Sequence, residues 1–392
     1  MVSLVRRYYL YRATLSPGFY IPVSVIYMEA RGLGLADIGF VQGAFLFSMV
    51  ASELPTGYLG DRLGRRNALA VGSAIVTAVM LGFSVADSTA DFAVVYVVWA
   101  VGWTFRTGTV DAWLYELLAE RDAEDEYARI SGRADSALRL VSGITALAAS
   151  LLYTVDPSVP FLANAGLAAL GLPLLATLPT TRGDGEDDRM SVREAGRVLR
   201  TQLSRASLRW IVLYAALFNL VFSVTRVFEQ PAMRAVGVPV AGLGVLYAGF
   251  KLVSAVAASA AGPAQDRLGT RGVLVLLVPV VGVAYASFTV VPVLLVPALF
   301  VRRGLQRITR PVRNEYINDR LEDVGRATVL SGVSMALTLA SGTANVLGGR
   351  VAAAVGPVTF LSVTGVAASL AGGLLWVVTR PIREGTADAA PT

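Results

Sequence analysis

Glu53-Leu-Pro-Thr-Gly-Tyr-Leu-Gly-Asp-Arg-Leu-Gly-Arg-Arg66 sits between two long apolar runs, Ile38 to Ala51 before it and Ala68 to Val85 after it. Each run, with its flanks, is long enough to cross a bilayer. A short loop carrying Arg62, Arg65 and Arg66 therefore joins two spans on one side. Arginine-rich loops stay in the cytoplasm, so this loop orients the whole chain. Gly57, Gly60 and Gly64 let the backbone bend and pack closely, and Asp61 is a fixed anion among cations.

The rest of the composition agrees with a lipid solvent. Of 392 residues, 55% are hydrophobic and only 16% are charged, against about 25% charged in an average soluble domain. The mean hydropathy is +0.60. The net charge of +6 comes mainly from arginines at span ends on one side, which is topology and not a face for nucleic acid. Histidine and cysteine are both absent. That excludes Cys/His metal sites, Cys nucleophiles, disulfides and His proton relays. The single lysine, Lys251, is followed by Leu252, so no Gly-Lys-Ser/Thr phosphate loop exists. No cofactor and no metal are expected, and an enzyme is not. Arg12, Pro17 and Pro22 interrupt the first apolar segment, which argues against a cleaved signal.

Hydropathy predicts an all-α integral membrane protein with about twelve transmembrane helices. Residues 1–178 form an N-terminal six-helix bundle, 179–209 a cytoplasmic linker, 210–379 a C-terminal six-helix bundle and 380–392 a cytoplasmic tail. Span one covers about Tyr8 to Ala30, and Asp37 reads as the N-cap of span two. Span four runs unbroken from about Phe92 to Leu118, span seven starts near Trp210, and Pro231 kinks or ends it. Linker residues Val192 to Leu208 have the spacing of an amphipathic helix on the membrane surface or of a solvated one. Arginines are scarce in the opposite turns, where Arg31, Arg234 and Arg350 stand, so both termini are expected in the cytoplasm.

The two halves echo each other. Asp266-Arg-Leu-Gly-Thr-Arg271 follows 205 residues after Asp61-Arg-Leu-Gly-Arg-Arg66, at the same place relative to its spans. Ala137-Leu-x-Leu-x-Ser-Gly143 in span five is matched by Ala336-Leu-x-Leu-x-Ser-Gly342 in span eleven. Internal repeats mark transporters that rock one bundle against another.

The pattern Gly-x-x-x-Asp-Arg-x-Gly-Arg-Arg between spans two and three resembles the signature loop of the major facilitator superfamily. Glu53 to Gly57, Asp111-Ala-Trp-Leu-Tyr-Glu116 and Tyr127-x-Arg-Ile-x-Gly-Arg133 extend the likeness to one efflux-like branch. The resemblance implies two bundles related by an axis along the membrane normal, tilting around one wet crevice. It implies that Gly57, Asp61, Arg62, Gly64, Arg65, Arg66, Asp266, Arg267 and Gly269 form the conformational-switch loops, with Asp111 and Glu116 in an inner gate network. Drug-efflux branches carry Gly-Pro pairs in span five; this chain has only Ser142-Gly143 there.

A charge at the bilayer centre costs about 2.5–3.5 kcal/mol on insertion scales, so deep charges are the best site signal. Arg106 and Asp111 share span four, five residues and so about 140° of helix rotation apart, and do not share a face. Asp135 and Arg139 are spaced to pair. Asn219, Ser223, Arg226 and Gln230 form a polar stripe on span seven. Lys251 and Arg303 lie deep, with Arg302 and Gln306 beside Arg303, while Arg307 and Arg310 snorkel to the inner interface. Cations outnumber Glu53, Asp111, Glu229 and Glu315, which favours an anionic or amphiphilic solute. Coupling to protons would use Glu53, Asp111 or Glu229. The reading is a monomeric secondary transporter in the cell membrane, exporting a small organic solute by alternating access. The alternatives are efflux of cationic lipophilic drugs, or a membrane sensor or scaffold.

Overall fold

A computed structural model describes residues 2–181, 206–319 and 326–379. The expected linker helix and the tail lie outside these residues, apart from the linker's last turn. The helices are α1 (Val2–Thr14), α2 (Ser24–Ala30), α3 (Leu35–Leu63), α4 (Arg65–Phe83), α5 (Thr89–Arg106), α6 (Thr109–Ala119), α7 (Tyr127–Val155) and α8 (Val159–Ala176) in the first half. The second half has α9 (Ala206–Ala235), α10 (Val240–Ser259), α11 (Ala261–Val275), α12 (Leu277–Val290), α13 (Leu295–Asn318), α14 (Arg326–Val355) and α15 (Pro357–Thr379). No strand occurs among the described residues.

Eight of these helices are long and apolar enough to cross a membrane singly, and the pair α11 and α12, bent by 61°, passes the same test taken together. The other three expected spans miss that test for identifiable reasons. Span one is split: the chain leaves the helix after Thr14 and resumes it at Ser24, with Pro17 and Pro22 between. Span four is also split, contrary to the continuous helix expected, because Gly108 takes φ 78° and ψ −41°. Span ten, α13, holds too many arginines. Two smaller expectations also change. The N-cap of α3 is Gly34, and Asp37 caps it from the third helical position, its carboxylate accepting from the Gly34 N–H at 3.0 Å. Pro231 does not end α9, which continues to Ala235.

Leucines and valines project from the surface of nearly every span, as lipid-facing side chains must. Val85, Val155, Val290 and Val377 are each at least three-quarters exposed. At the turns, Ser88 and Asp91 cap α5 reciprocally, and those hydrogen bonds hold the Asp91 carboxyl below its ordinary value.

The described chain packs as two units. Unit 1 comprises Met1–Asp187 with Gly237–Lys251 and Asn345–Ala353; unit 2 comprises Asp188–Val236, Leu252–Ala344 and Ala354–Thr392. Unit 1 has an aromatic centre, where Phe83 stacks on Phe161 at 4.8 Å and Tyr27 donates to the Phe83 carbonyl at 2.9 Å. Tyr20 and Trp99 pack into the same cluster. A second core gathers Tyr8, Tyr11, Trp113, Leu114, Leu117 and Ile130 near the signature turn. In unit 2, Tyr285 lies against Gly365, and its hydroxyl pairs with Thr225 at 2.7 Å.

Candidate functional site

The most enclosed charges lie in unit 2. Glu229 on α9 is fully buried, its side chain 1% exposed. Its Oε2 accepts from Arg302 Nη2 at 2.7 Å, and its Oε1 accepts from Arg303 Nη2. The Arg302 side chain is 1% exposed and that of Arg303 is 21%. One guanidinium is thus sealed in, while its neighbour reaches toward solvent. Two consecutive residues of α13 grip one carboxylate because 100° of helix rotation separates them, which lets each approach a different oxygen. Such charge-assisted bonds are strong where water is excluded. These three residues carry a net charge of one cation, and the buried Thr225–Tyr285 hydroxyl pair lies within electrostatic reach.

Sequence reasoning named Glu229 and Arg303 separately, and set Arg302 only alongside. Arg302 is the more buried partner, and its signal was adjacency to Arg303. The polar stripe of α9 divides. Asn219 Nδ2 donates to Ser341 Oγ at 3.0 Å, Gln230 is buried, Ser223 is half-buried and Arg226 is exposed. Lys251, in unit 1, is half-buried.

In unit 1 the expected Asp135–Arg139 pair is long, at 3.9 Å. The close partner of Asp135 is Arg12, whose side chain is 9% exposed. Span one thus supplies the cation, and the four-residue spacing was the weaker guide. Arg106 is half-buried, its stem laid over Gly72. The ionisable groups near it are Tyr11, Tyr20 and Arg12, none of them an acid at neutral pH. Asp111 and Glu53 are exposed.

The first signature turn is tied to span four. Arg65 binds Asp61 at 3.1 Å and, through Nε, Glu116 at 3.0 Å, while Thr181 donates to the other Glu116 oxygen at 2.7 Å. Arg66 donates to the Leu178 carbonyl at 3.1 Å, and Arg62 lies over the Tyr58 ring at 4.5 Å. Gly64 holds φ 78° and ψ 149°; Gly269 holds φ 68° and ψ 164°. Both lie in a region essentially closed to other residues. The second repeat behaves likewise: Ser142 Oγ meets Ser16 Oγ at 3.0 Å, as Ser341 meets Asn219. In each half the same serine of the fifth span bonds the first span.

At the end of α3 away from the signature turn, glycines bring backbones into contact within unit 1. A Cβ on Gly39 would lie 2.4 Å from the Asn345 carbonyl oxygen and 2.8 Å from Gly349 Cα. A Cβ on Gly244 would lie 2.5 Å from the Ala146 carbonyl oxygen, and the Gly244 N–H donates to Ser150 Oγ at 2.7 Å. Span two thereby meets span eleven, and span five meets span eight.

The sequence model of the Major Facilitator Superfamily matches residues 13–230. The chain belongs to the major facilitator superfamily. Solved members share the fold of this facilitator at low identity. A point variant of the nucleoside transporter NupG superposes with a TM-score of 0.81 at 14% identity, over 95% of this chain and 99% of that one. A D-xylose-proton symporter gives 0.67 at 12%, over 96% of each chain. A bacterial homologue of the human lysosomal transporter Spinster, inward-facing and occupied, gives 0.67 at 15%, over 97% and 96%. No curated protein matches. Transport of small molecules across a membrane follows from the family; the solute does not.

Proposed function

We propose that this facilitator carries small organic anions by alternating access and that Glu229 couples their movement to protons. The observation that carries the reading is the Glu229–Arg302–Arg303 triad, buried and with one cation in excess. Arg303 is the partly exposed member, so a solute carboxylate or phosphate can compete with Glu229 for it. An anion arriving there raises the affinity of Glu229 for a proton, because like charges disfavour the ionised form. Proton and anion therefore bind together and travel the same way. That linkage favours symport over the exchange that proton-driven export needs. Arg106, with no acidic neighbour, adds positive potential in unit 1.

The signature-turn networks and the glycine contacts at the far end supply elements that can hold one state and release it. The arginine-rich ends orient the signature turns and both termini to the cytoplasm, in the cell membrane.

The test is solute flux in proteoliposomes with and without a pH gradient, using matched panels of organic anions and lipophilic cations. Acid-stimulated anion flux that Glu229→Gln makes indifferent to pH supports the reading. Cation flux driven by the opposite gradient, with no anion flux, replaces it with drug efflux.

A further inference from the structure

Unit 2 has a second basic feature, away from Glu229. A cleft of about 520 Å³ opens at the signature-turn end, between α9, α13 and α14. Its polar side is Arg310, Arg313, Asn314 and Asn318 of α13; its apolar side is Leu330, Val333 and Leu337 of α14. Its size is that of an ordinary small-molecule site.

The two arginines stand three residues apart on one helix face, where like charges repel. Arg313 donates through Nε and Nη2 to Asn314 Oδ1, at 3.2 and 2.9 Å. Among the described residues neither guanidinium makes an ion pair. Glu315 also lines the cleft, but one of its oxygens accepts from Gln265 at 3.0 Å. A preference for arginine at cytoplasmic ends explains the residue type. It does not explain a paired guanidinium edge set across a cleft from a stripe of leucine and valine. Leu330, Val333 and Leu337 recur at helical spacing, so they present one continuous apolar strip.

We propose that this cleft binds an amphiphilic monoanion, its acid group held by Arg310 and Arg313 and its apolar body laid along Leu330, Val333 and Leu337. Arginine suits the task because its planar fork meets a carboxylate or phosphate through two hydrogen bonds. The ligand can come from two sources, an acidic lipid of the adjoining leaflet or a soluble organic acid. The assignment stands apart from the transport reading, since it uses neither Glu229 nor its partners.

The experiment is thermal unfolding of the purified full chain in a neutral maltoside detergent, titrated with four probes: octanoate, acetate, octylammonium and dihexanoyl phosphatidylglycerol. Octanoate is expected to raise the melting temperature saturably, acetate at least tenfold less effectively, and octylammonium not at all. Arg310→Gln with Arg313→Gln should weaken octanoate at least tenfold, and Arg313→Lys should keep part of the response. Val333→Asn should shrink the advantage of octanoate over acetate and leave the acetate response alone. If the lipid binds tenfold tighter than octanoate, with dihexanoyl phosphatidylcholine inert, the occupant is a leaflet lipid. Equal or weaker lipid binding assigns a soluble acid. Either result supports the site. Equal responses to octanoate and octylammonium, or an unaltered response in the double arginine variant, overturn it. Because the readout is a ligand-induced shift in each variant, a lower starting stability does not hide the answer. Acid stimulation of anion flux that is lost in Glu229→Gln but kept in the Arg310/Arg313 variant keeps this site distinct from the transport centre.

Discussion

Replacing Glu229 by Gln preserves the shape of the side chain and removes its charge. Arg302, still buried, then loses the carboxylate oxygen to which it donates. Both side chains of that pair are 1% exposed, so solvent does not soften the loss. Removing one partner of a buried ion pair costs about 3–5 kcal/mol. The Arg303 contact adds less, because Arg303 is 21% exposed and partly screened pairs contribute about 1 kcal/mol or below. Glu229→Gln and Arg302→Gln should therefore each destabilise the protein by about 3–5 kcal/mol, and Arg303→Gln by about 1 kcal/mol. The double variant Glu229→Gln/Arg302→Gln removes both charges together and should fall well short of the sum, with a coupling of about 2–3 kcal/mol. The assay is reversible unfolding in mixed micelles by titration with an anionic detergent, followed by tryptophan fluorescence. Trp210 and Trp376 report from unit 2. A Glu229→Gln protein destabilised by only about 1 kcal/mol or less, well under the about 3 kcal/mol that breaking a buried pair costs at least, or a double variant equal to the sum, refutes the triad as a buried, mutually dependent set.

Gly64→Ala and Gly269→Ala should each cost about 1–3 kcal/mol from backbone strain alone, measured by the same unfolding titration. Nothing lies within 4 Å of a Cβ at Gly64, so a neutral result would show that its backbone is not held where the structure places it. Gly39→Ala should force the far-end contact apart, because backbone atoms at 2.4 and 2.8 Å cannot yield as a side chain can. Ala352 is fully buried and the chain has no cysteine. An Ala352→Cys probe should then react faster with an impermeant maleimide in the Gly39→Ala background; an unchanged rate counts against the seal. Arg65→Gln should lower transport at least several-fold while moving stability by about 1 kcal/mol, since its pairs with Asp61 and Glu116 are part-exposed. A variant that unfolds readily, or that transports normally, contradicts a switching role for that network.

The spans and the repeated Asp-Arg-Leu-Gly turns were readable because hydropathy and loop charge act locally along the chain. Breaks inside spans were harder. Gly108 stands in a run that a helix tolerates, and only the folded backbone discloses its positive φ. Pro231 lies inside α9 and does not end it, since a helix can carry a proline past the point where propensity alone would stop it. For the triad, counting the rise along span ten placed Arg303 at depth but gave no azimuth. Glu229 and Arg302 are 73 residues apart, a separation that no local pattern bridges. Arg12 and Asp135 are 123 apart, which is why the nearer Arg139 looked like the natural partner.

The two halves kept what the backbone demands and diverged in what chemistry requires. Gly64 and Gly269 share a conformation that no side chain tolerates well, so the turn of each half requires glycine. Ser142 and Ser341 likewise each bind the first span of their own half. The charges obey no such rule. The Arg12–Asp135 pair joins the first and fifth spans of the first half, while Glu229, Arg302 and Arg303 join the seventh and tenth of the second. A buried charge must be matched by its own counter-charge, so each half settled on a different set of partners. In the second half that counter-charge comes from two guanidiniums, Arg302 and Arg303, on one carboxylate, the arrangement on which the proposed coupling of protons to anions rests.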